Sequence, residues 1–173
     1  MFTQDIWDVL APTIVHTPVL ESPYTTQLDW QILPIAYLCN FEPIVSQFQP
    51  FGLQFEDAIA IRPSNPSFLA GAGGIAIMPI GRCSGFKVYF ENVVSETSLW
   101  LVGSQPVSVS CLNAQGHCVT KVQTVTASSH EPHRSYPERS IVVNTRATKV
   151  LRVDSKAPFI VTRFAIKRTC QPV

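Results

Sequence analysis

The sequence predicts an all-β fold, a sandwich or barrel of many short antiparallel strands, and three observations carry that reading. Val and Ile together number 32 against 11 Leu, and β-branched side chains suit a pleated surface better than a helix. Fourteen Pro and eight Gly punctuate the chain at short intervals, as turns between short strands require. Several segments alternate apolar and polar residues with period two, the pattern of a strand covered on one face. At 173 residues the chain has the length of one domain. Apolar residues make up 46% and charged residues 14%, a balance that argues against disorder. A formal net charge of +1 recruits neither nucleic acid nor a membrane surface. No apolar run reaches the length of a membrane span.

Residues 1–34 read as an arm. Pro12, Pro18, Pro23 and Pro34 interrupt its short apolar runs, so it suits wrapping along a surface better than central pairing. A turn or two of helix fits 4–10 and is ended by Pro12. Phe2, Ile6, Trp7, Val9 and Leu10 are too apolar to stand in water and should pack on the body or on a partner chain.

The body, residues 35–170, holds the strands. Strands are expected at 35–40, 52–55, 58–62, 75–78, 86–90, 98–102, 107–112, 119–126, 140–143, 148–153 and 159–167. Phe86, Val88 and Phe90 point one way and Lys87 and Tyr89 the other. Val107, Val109 and Cys111 alternate with Ser108, Ser110 and Leu112. Gly116 is placed to close a hairpin between Leu112 and His117. Residues 64–67 form a turn by composition, and 127–138 read as an exposed loop. An antiparallel sandwich of eight to eleven strands is the expected architecture.

Charge is spread unevenly. Seven acids and no Lys or Arg occupy residues 1–60, whereas nine bases against Glu138 and Asp154 occupy 134–168. Either the two ends complement each other, within one chain or between subunits, or the bases form a face for an acidic ligand. Along the sequence the bases lack the interleaved aromatics of a single-strand nucleic-acid surface, so no nucleic-acid partner is expected. The absence of early bases also does not suit an export signal. The expected compartment is the cytoplasm, or the outside reached without a recognisable signal.

One resemblance refines the fold. Asn40-Phe41-Glu42 followed by Phe51-Gly52-Leu53-Gln54-Phe55 resembles the opening of bacterial β-sandwich modules associated with PEP-CTERM sorting signals, themselves similar to galactose-binding-like jelly rolls. The turn at 63–68, the strand at 86–90, Pro106-Val107 and the hairpin at 111–118 come in matching order, so the resemblance covers 38–166. It implies a jelly-roll-like sandwich and a carbohydrate as ligand. Relatives of this kind often hold a structural calcium between an acid near the first strand and another near the last. Glu42 matches the first, but 161–168 carries bases and no acid, and calcium requires oxygen donors. Residues 167–173 do not resemble the sorting segment either. No cofactor is expected.

Other chemistry rests on single residues or short motifs. Cys111 and Cys118 flank the hairpin loop and are a candidate disulfide. Free thiols, common as small hydrophobes in a core, are the favoured reading, and zinc ligation with His130 and His133 is a further alternative, although the spacing matches no tight ligand pair. Any metal site is therefore unknown. Five cysteines leave at least one unpaired within the chain. Gly81-Arg82-Cys83-Ser84-Gly85 has the form of a nucleophile elbow, but a strand is expected after it where an elbow needs a helix. The reading is a non-catalytic binding module, with Trp100, Arg134 and Tyr136 as the residues suited to stack on and hydrogen-bond a sugar. Trp100 alternates with Leu99 and Leu101, so a core position is its competing assignment. A structural or oligomerising assembly protein, with a homo-oligomeric or other protein partner, is the alternative, and a cysteine- or metal-dependent enzyme the weaker one.

Overall fold

The computed structural model describes residues 30–68, 74–81, 84–125 and 135–168. Among them the strands are β1 (Trp30–Ile32), β2 (Pro43–Ile44), β3 (Leu53–Glu56), β4 (Ala58–Ile61), β5 (Ala76–Pro79) and β6 (Gly85–Phe90). They continue as β7 (Glu96–Gly103), β8 (Val107–Leu112), β9 (Cys118–Gln123), β10 (Arg139–Asn144), β11 (Val150–Ser155) and β12 (Phe159–Lys167). All pairings are antiparallel. One sheet has seven strands in the order β10-β7-β12-β5-β4-β2, with β1 also on β12, and the other has five in the order β3-β6-β11-β8-β9. The all-β sandwich expected from the sequence is the fold observed.

Period-two patterning fills the space between the sheets. Phe86, Val88 and Phe90 face inward from β6, Leu151 and Val153 from β11, and Leu99 and Leu101 from β7. Aromatic rings stitch the layers together. Phe55 lies 6.1 Å from Phe86 and 5.9 Å from Phe164, and Phe86 lies 6.2 Å from Phe159, centroid to centroid. Rings at these separations contribute attraction beyond the area they bury.

Strand β12 is the hub. β7 runs along one whole edge of it, from Phe159↔Gly103 to Lys167↔Glu96. The other edge is shared by β5, at Val161, and by β1, at Ala165 to Lys167. The register against β7 shifts between Val161 and Arg163, where Thr162 is the extra residue of a β-bulge. Phe159 and Val161 point into the core before the bulge, and Phe164 and Ile166 after it.

Four sequence expectations need correction. Residues 35–40 are not a strand. Ile35–Tyr37 is a 3-10 helix, which buries Ile35 and leaves Tyr37 exposed where strand alternation would have put both on one face. Secondly, the last residues of the arm, where no strand is expected, pair on the body as one. Trp30–Ile32 pairs with β12, the Leu33 N–H donates to the Phe164 carbonyl at 2.8 Å, and Leu33 is buried. The arm assignment for residues 1–29 lies outside the described residues. Thirdly, β1 and β2 are additional to the expected strands, and the described strands number twelve.

The fourth concerns the hairpin. It closes as expected, with Gly116 at φ +79 and the Asn113 carboxamide oxygen accepting from the Gln115 and His117 N–H groups at 3.0 and 2.9 Å. Its cysteines do not bridge. Cys111 pairs with Thr120 while Leu112 pairs with Cys118, because the register shifts between them. Cys111 therefore sits in the core and Cys118 at the surface, both as free thiols. Burial pushes the Cys111 thiol up from its ordinary pKa, outweighing the smaller opposing effect of the nearby Thr148 hydroxyl, as expected for a thiol serving as a small hydrophobe. The alternative zinc partners His130 and His133 lie outside the described residues.

The fold carries two testable outcomes. Phe164→Ala removes a fully buried ring from the junction of the sheets and should cost about 3–5 kcal/mol, read as a lower urea midpoint at unchanged slope. Cys118→Ser should leave the melting temperature unchanged with and without reductant; a drop seen only under oxidising conditions would reinstate the bridge.

Candidate functional site

The bulge in β12 builds a polar and aromatic cluster on the outer face of the seven-stranded sheet. Leu99 and Leu101 are buried in the core, so Trp100 between them must point outward. Opposite it, the extra residue lets both Thr162 and Arg163 meet one position of β7. The Arg163 guanidinium lies 4.6 Å from the Trp100 ring centroid, close enough for attraction between cation and ring face. Its Nη2 donates to Glu138 Oε2 at 2.8 Å. The other oxygen of Glu138 accepts from the Thr162 hydroxyl, which also lies 3.3 Å from the Trp100 carbonyl oxygen. Indole, guanidinium, carboxylate and hydroxyl are thus held together by β7, β12 and the residue that leads into β10.

A second group of the same composition lies four residues further along β12. Trp30 pairs with Lys167 across β1 and β12, and Lys167 Nζ sits 5.8 Å from the Trp30 ring centroid. The same Nζ is 3.1 Å from Glu96 Oε2 on β7. Between the two groups the register sets Ser98 beside Ala165. These small side chains are only 4% and 1% exposed, so the larger side chains around them form the surface there. Trp30 is 39% exposed and Ile32 is 61% exposed. Beside Thr162 and Arg163, where β1 gives way to β5 along the β12 edge, a pocket of about 270 Å³ opens, lined also by Ile32, Pro34, Ile35 and Ile75.

Of the residues singled out from the sequence, Trp100 belongs to this face and Tyr136 borders it. Tyr136 packs edge-on against Phe68 at 5.3 Å, and both cover a small apolar cluster of Ala76, Val102 and Ile160. Val102 is two residues from Trp100 on the same side of β7. Tyr136 is therefore a capping side chain rather than a stacking platform. Arg134 lies outside the described residues. Trp30, Arg163, Lys167, Glu96, Glu138 and Thr162 are not among the residues the sequence singles out. One signal for them is present: in Phe159-Ile160-Val161-Thr162-Arg163-Phe164-Ala165-Ile166-Lys167 the core-facing apolar residues change from odd to even positions, the mark of a bulge.

The remaining candidates have structural roles or lie outside the described residues. The Gly81 to Gly85 motif leads into strand β6, not into a helix, and Arg82 and Cys83 are outside the described residues. Glu42 accepts from the Cys39 N–H at 2.7 Å and from the Gln47 carboxamide at 2.8 Å. Those donors, the Cys39 N–H first, hold its carboxyl below the usual range, and a carboxylate facing N–H groups is the reverse of a calcium ligand set. Among the described residues no three His, Cys, Asp or Glu side chains group as metal ligands, and no helix is long and apolar enough to cross a membrane. On the outer face of the five-stranded sheet, Glu56 accepts from Lys87 Nζ and from the Tyr89 hydroxyl, each at 2.5 Å. These two donors, Lys87 the stronger, lower the pKa of Glu56, and the same contact raises that of Lys87.

No protein-family model matches the chain, and no curated protein matches it. Solved structures do. The K1 cleaved adhesin domain of Lys-gingipain from Porphyromonas gingivalis W83 is similar at a TM-score of 0.50 and 10% identity, over 82% of this chain and 99% of that one. The K2 cleaved adhesin domain of Lys-gingipain is similar at a TM-score of 0.54 and 8% identity, over 81% and 100%. A xylan-binding domain from Paenibacillus barcinonensis overlaps less well, with a TM-score of 0.39 and 16% identity over 77% and 93%. At these identities the likeness is one of fold, and the two adhesin domains carry it: the chain has the fold of those domains across most of its length.

Proposed function

We propose that this protein is a non-catalytic glycan-binding module whose ligand lies along the outer face of the seven-stranded sheet. One observation carries the reading: two indoles on that face, Trp100 and Trp30, each stand beside a cation and a carboxylate, four residues of β12 apart. A sugar ring offers an apolar C–H face and a rim of hydroxyls. An indole matches the first, and a guanidinium or carboxylate held beside it matches the second, so a few polar groups set the ligand's orientation. Arg163 clamps Trp100 from one side, and Glu138 clamps Arg163. Side chains already fixed in this way lose little freedom on binding. Each cation is balanced by its own carboxylate, which favours a neutral glycan over a polyanion and disfavours nucleic acid. The fold shared with domains described as adhesins, and the resemblance of 38–166 to bacterial sandwich modules, agree with a binding role.

A glycan array followed by titration calorimetry tests the proposal. The expected result is binding to neutral oligosaccharides that Trp100→Ala weakens at least about tenfold, or 1.4 kcal/mol, with unchanged circular dichroism. Absence of binding to every glycan class, or wild-type affinity in the folded Trp100→Ala variant, would remove the reading.

A further inference from the structure

Stacking on Trp100 leaves the pocket beside Thr162 and Arg163 unused, because β12 runs between the two. Trp100 and Glu138 reach Thr162 and Arg163 from the side of β7 and β10. The pocket opens on the opposite side, against Ile32 of β1, the 3-10 helix at Ile35, and Ile75 just before β5. Its aliphatic wall is fixed before any ligand arrives. Leu33 and Ile35 are buried in the core. The Leu33 N–H donates to the Phe164 carbonyl and the Ile35 N–H to the Leu33 carbonyl, each at 2.8 Å, and the ring of Pro34 between them holds its own φ. Ile32 stands exposed at the rim. A concave, mostly apolar wall with a few polar groups at one side is the form that small-ligand sites take.

The polar residues of the lining decide what fits. The single hydroxyl proton of Thr162 is committed to Glu138 and the Trp100 carbonyl, so toward a ligand that hydroxyl can only accept. Arg163 donates to Glu138 through Nη2, its other N–H groups make no hydrogen bond among the described residues, and a guanidinium can only donate. An acceptor, a donor and an aliphatic wall side by side match a secondary amide that ends in a methyl. Its N–H suits Thr162, its carbonyl suits Arg163, and its methyl suits Ile32 and Ile75. A bare methyl fits less well: the pocket measures about 270 Å³, and one water takes about 30 Å³, so most of the space would stay wet. A carboxylate would satisfy Arg163 but would bring its charge against the aliphatic wall.

We infer that this pocket is the specificity subsite of the module and takes the acetamido group of an N-acetylated sugar. The inference rests on the glycan-binding reading of the Trp100 face and names the ligand class for it. β7 and the β1 edge lie two inter-strand spacings apart, about 10 Å. That is too far for a substituent of the ring stacked on Trp100, so the acetamido group belongs to a neighbouring sugar and the ligand is an oligosaccharide. A ligand with a hydroxyl in place of the acetamido group covers none of the wall and leaves the pairing with Thr162 and Arg163 incomplete.

Titration calorimetry of the full-length protein with matched oligosaccharides tests the subsite. The members of each pair differ only in carrying an acetamido group or a hydroxyl at C2, in the gluco and in the galacto series. In at least one series the acetylated member should bind about tenfold more tightly or better. Ile32→Ser removes the exposed part of the wall and Ala36→Leu narrows the pocket. Both positions are exposed, so both variants should keep the wild-type circular dichroism and melting temperature. Each should bring the two members within about threefold of each other without changing affinity for the hydroxyl member, whereas Trp100→Ala should weaken both members alike. Equal affinity for both members in both series, with Trp100→Ala still weakening them, would overturn the subsite and leave the Trp100 face standing. So would failure of both pairs to bind when another glycan binds at Trp100, and absence of binding to every glycan would remove both readings. A lower melting temperature for both variants without ligand, at unchanged selectivity, would mean that the chain itself fills the pocket, and would overturn the inference.

Discussion

The single extra residue in β12 is the constraint on which both core and surface depend. A strand alternates its faces strictly, so without the bulge every residue past Val161 would point the other way. Phe164 and Ile166, both buried, would turn to solvent, and Arg163 and Lys167 would turn toward Phe55. Burying those two charges without partners is far more costly than any packing they could replace. With Thr162 inserted, the apolar phase is reset and the cations stay outside. The same insertion sets two β12 side chains opposite Trp100, which is how threonine, arginine and glutamate converge there. The feature that lets the strand serve the core therefore also makes the site.

The surroundings of the bulge keep it rigid. Ser95 donates from both its N–H and its hydroxyl to the Lys167 carbonyl, at 2.8 and 2.7 Å, and so fixes the far end of β12 beside Glu96. Below it, the buried Thr97 and Thr145 hydroxyls are 3.2 Å apart, and Thr145 donates to the Val94 carbonyl at 3.0 Å. A buried hydroxyl pair with an acceptor leaves no polar atom of that group unpaired, and it ties the start of β7 to the end of β10. The aromatic contacts from Phe55 to Phe164 hold the opposite side of the strand. A binding surface on such a support keeps its geometry before a ligand arrives.

The strands from β3 to β12 were legible because their patterning is local. Alternation in Phe86 to Phe90 or Val107 to Leu112 states both the strand and its inward face, and Gly116 states the turn. The failures have equally physical causes. Ile35 to Asn40 is apolar enough for a strand, but Pro34 and the tight turn after Tyr37 close a 3-10 helix there. Trp30 to Ile32 lies in a proline-punctuated stretch, and only its pairing with a strand some 130 residues later gives it structure. The candidate site was hidden for the same reason. Trp100 could be named as an aromatic on a strand, but Arg163, Glu138 and Lys167 reach their indoles across strands, and no local pattern records that. The bases near the C-terminus read as lacking aromatic neighbours in sequence; in space two of them have a tryptophan each.

The two outer faces of the sandwich differ in what their charges pair with. On the five-stranded sheet, Glu56 is engaged by Lys87 and Tyr89, Arg152 lies 3.2 Å from Asp154, and Gln54 donates to Glu91 at 2.7 Å. Those groups satisfy one another and present water with a closed polar lattice. The lowered pKa of Glu56 belongs to that lattice: its stabilisation is present above the ordinary carboxylate pKa and is lost as pH falls through the depressed one. On the seven-stranded sheet the charges are also paired, but their partners include tryptophan rings. That leaves apolar surface next to directed polar groups, and a ligand with both kinds of surface is the one that gains from it. The proposed binding surface therefore belongs to one sheet, while the other supplies its back.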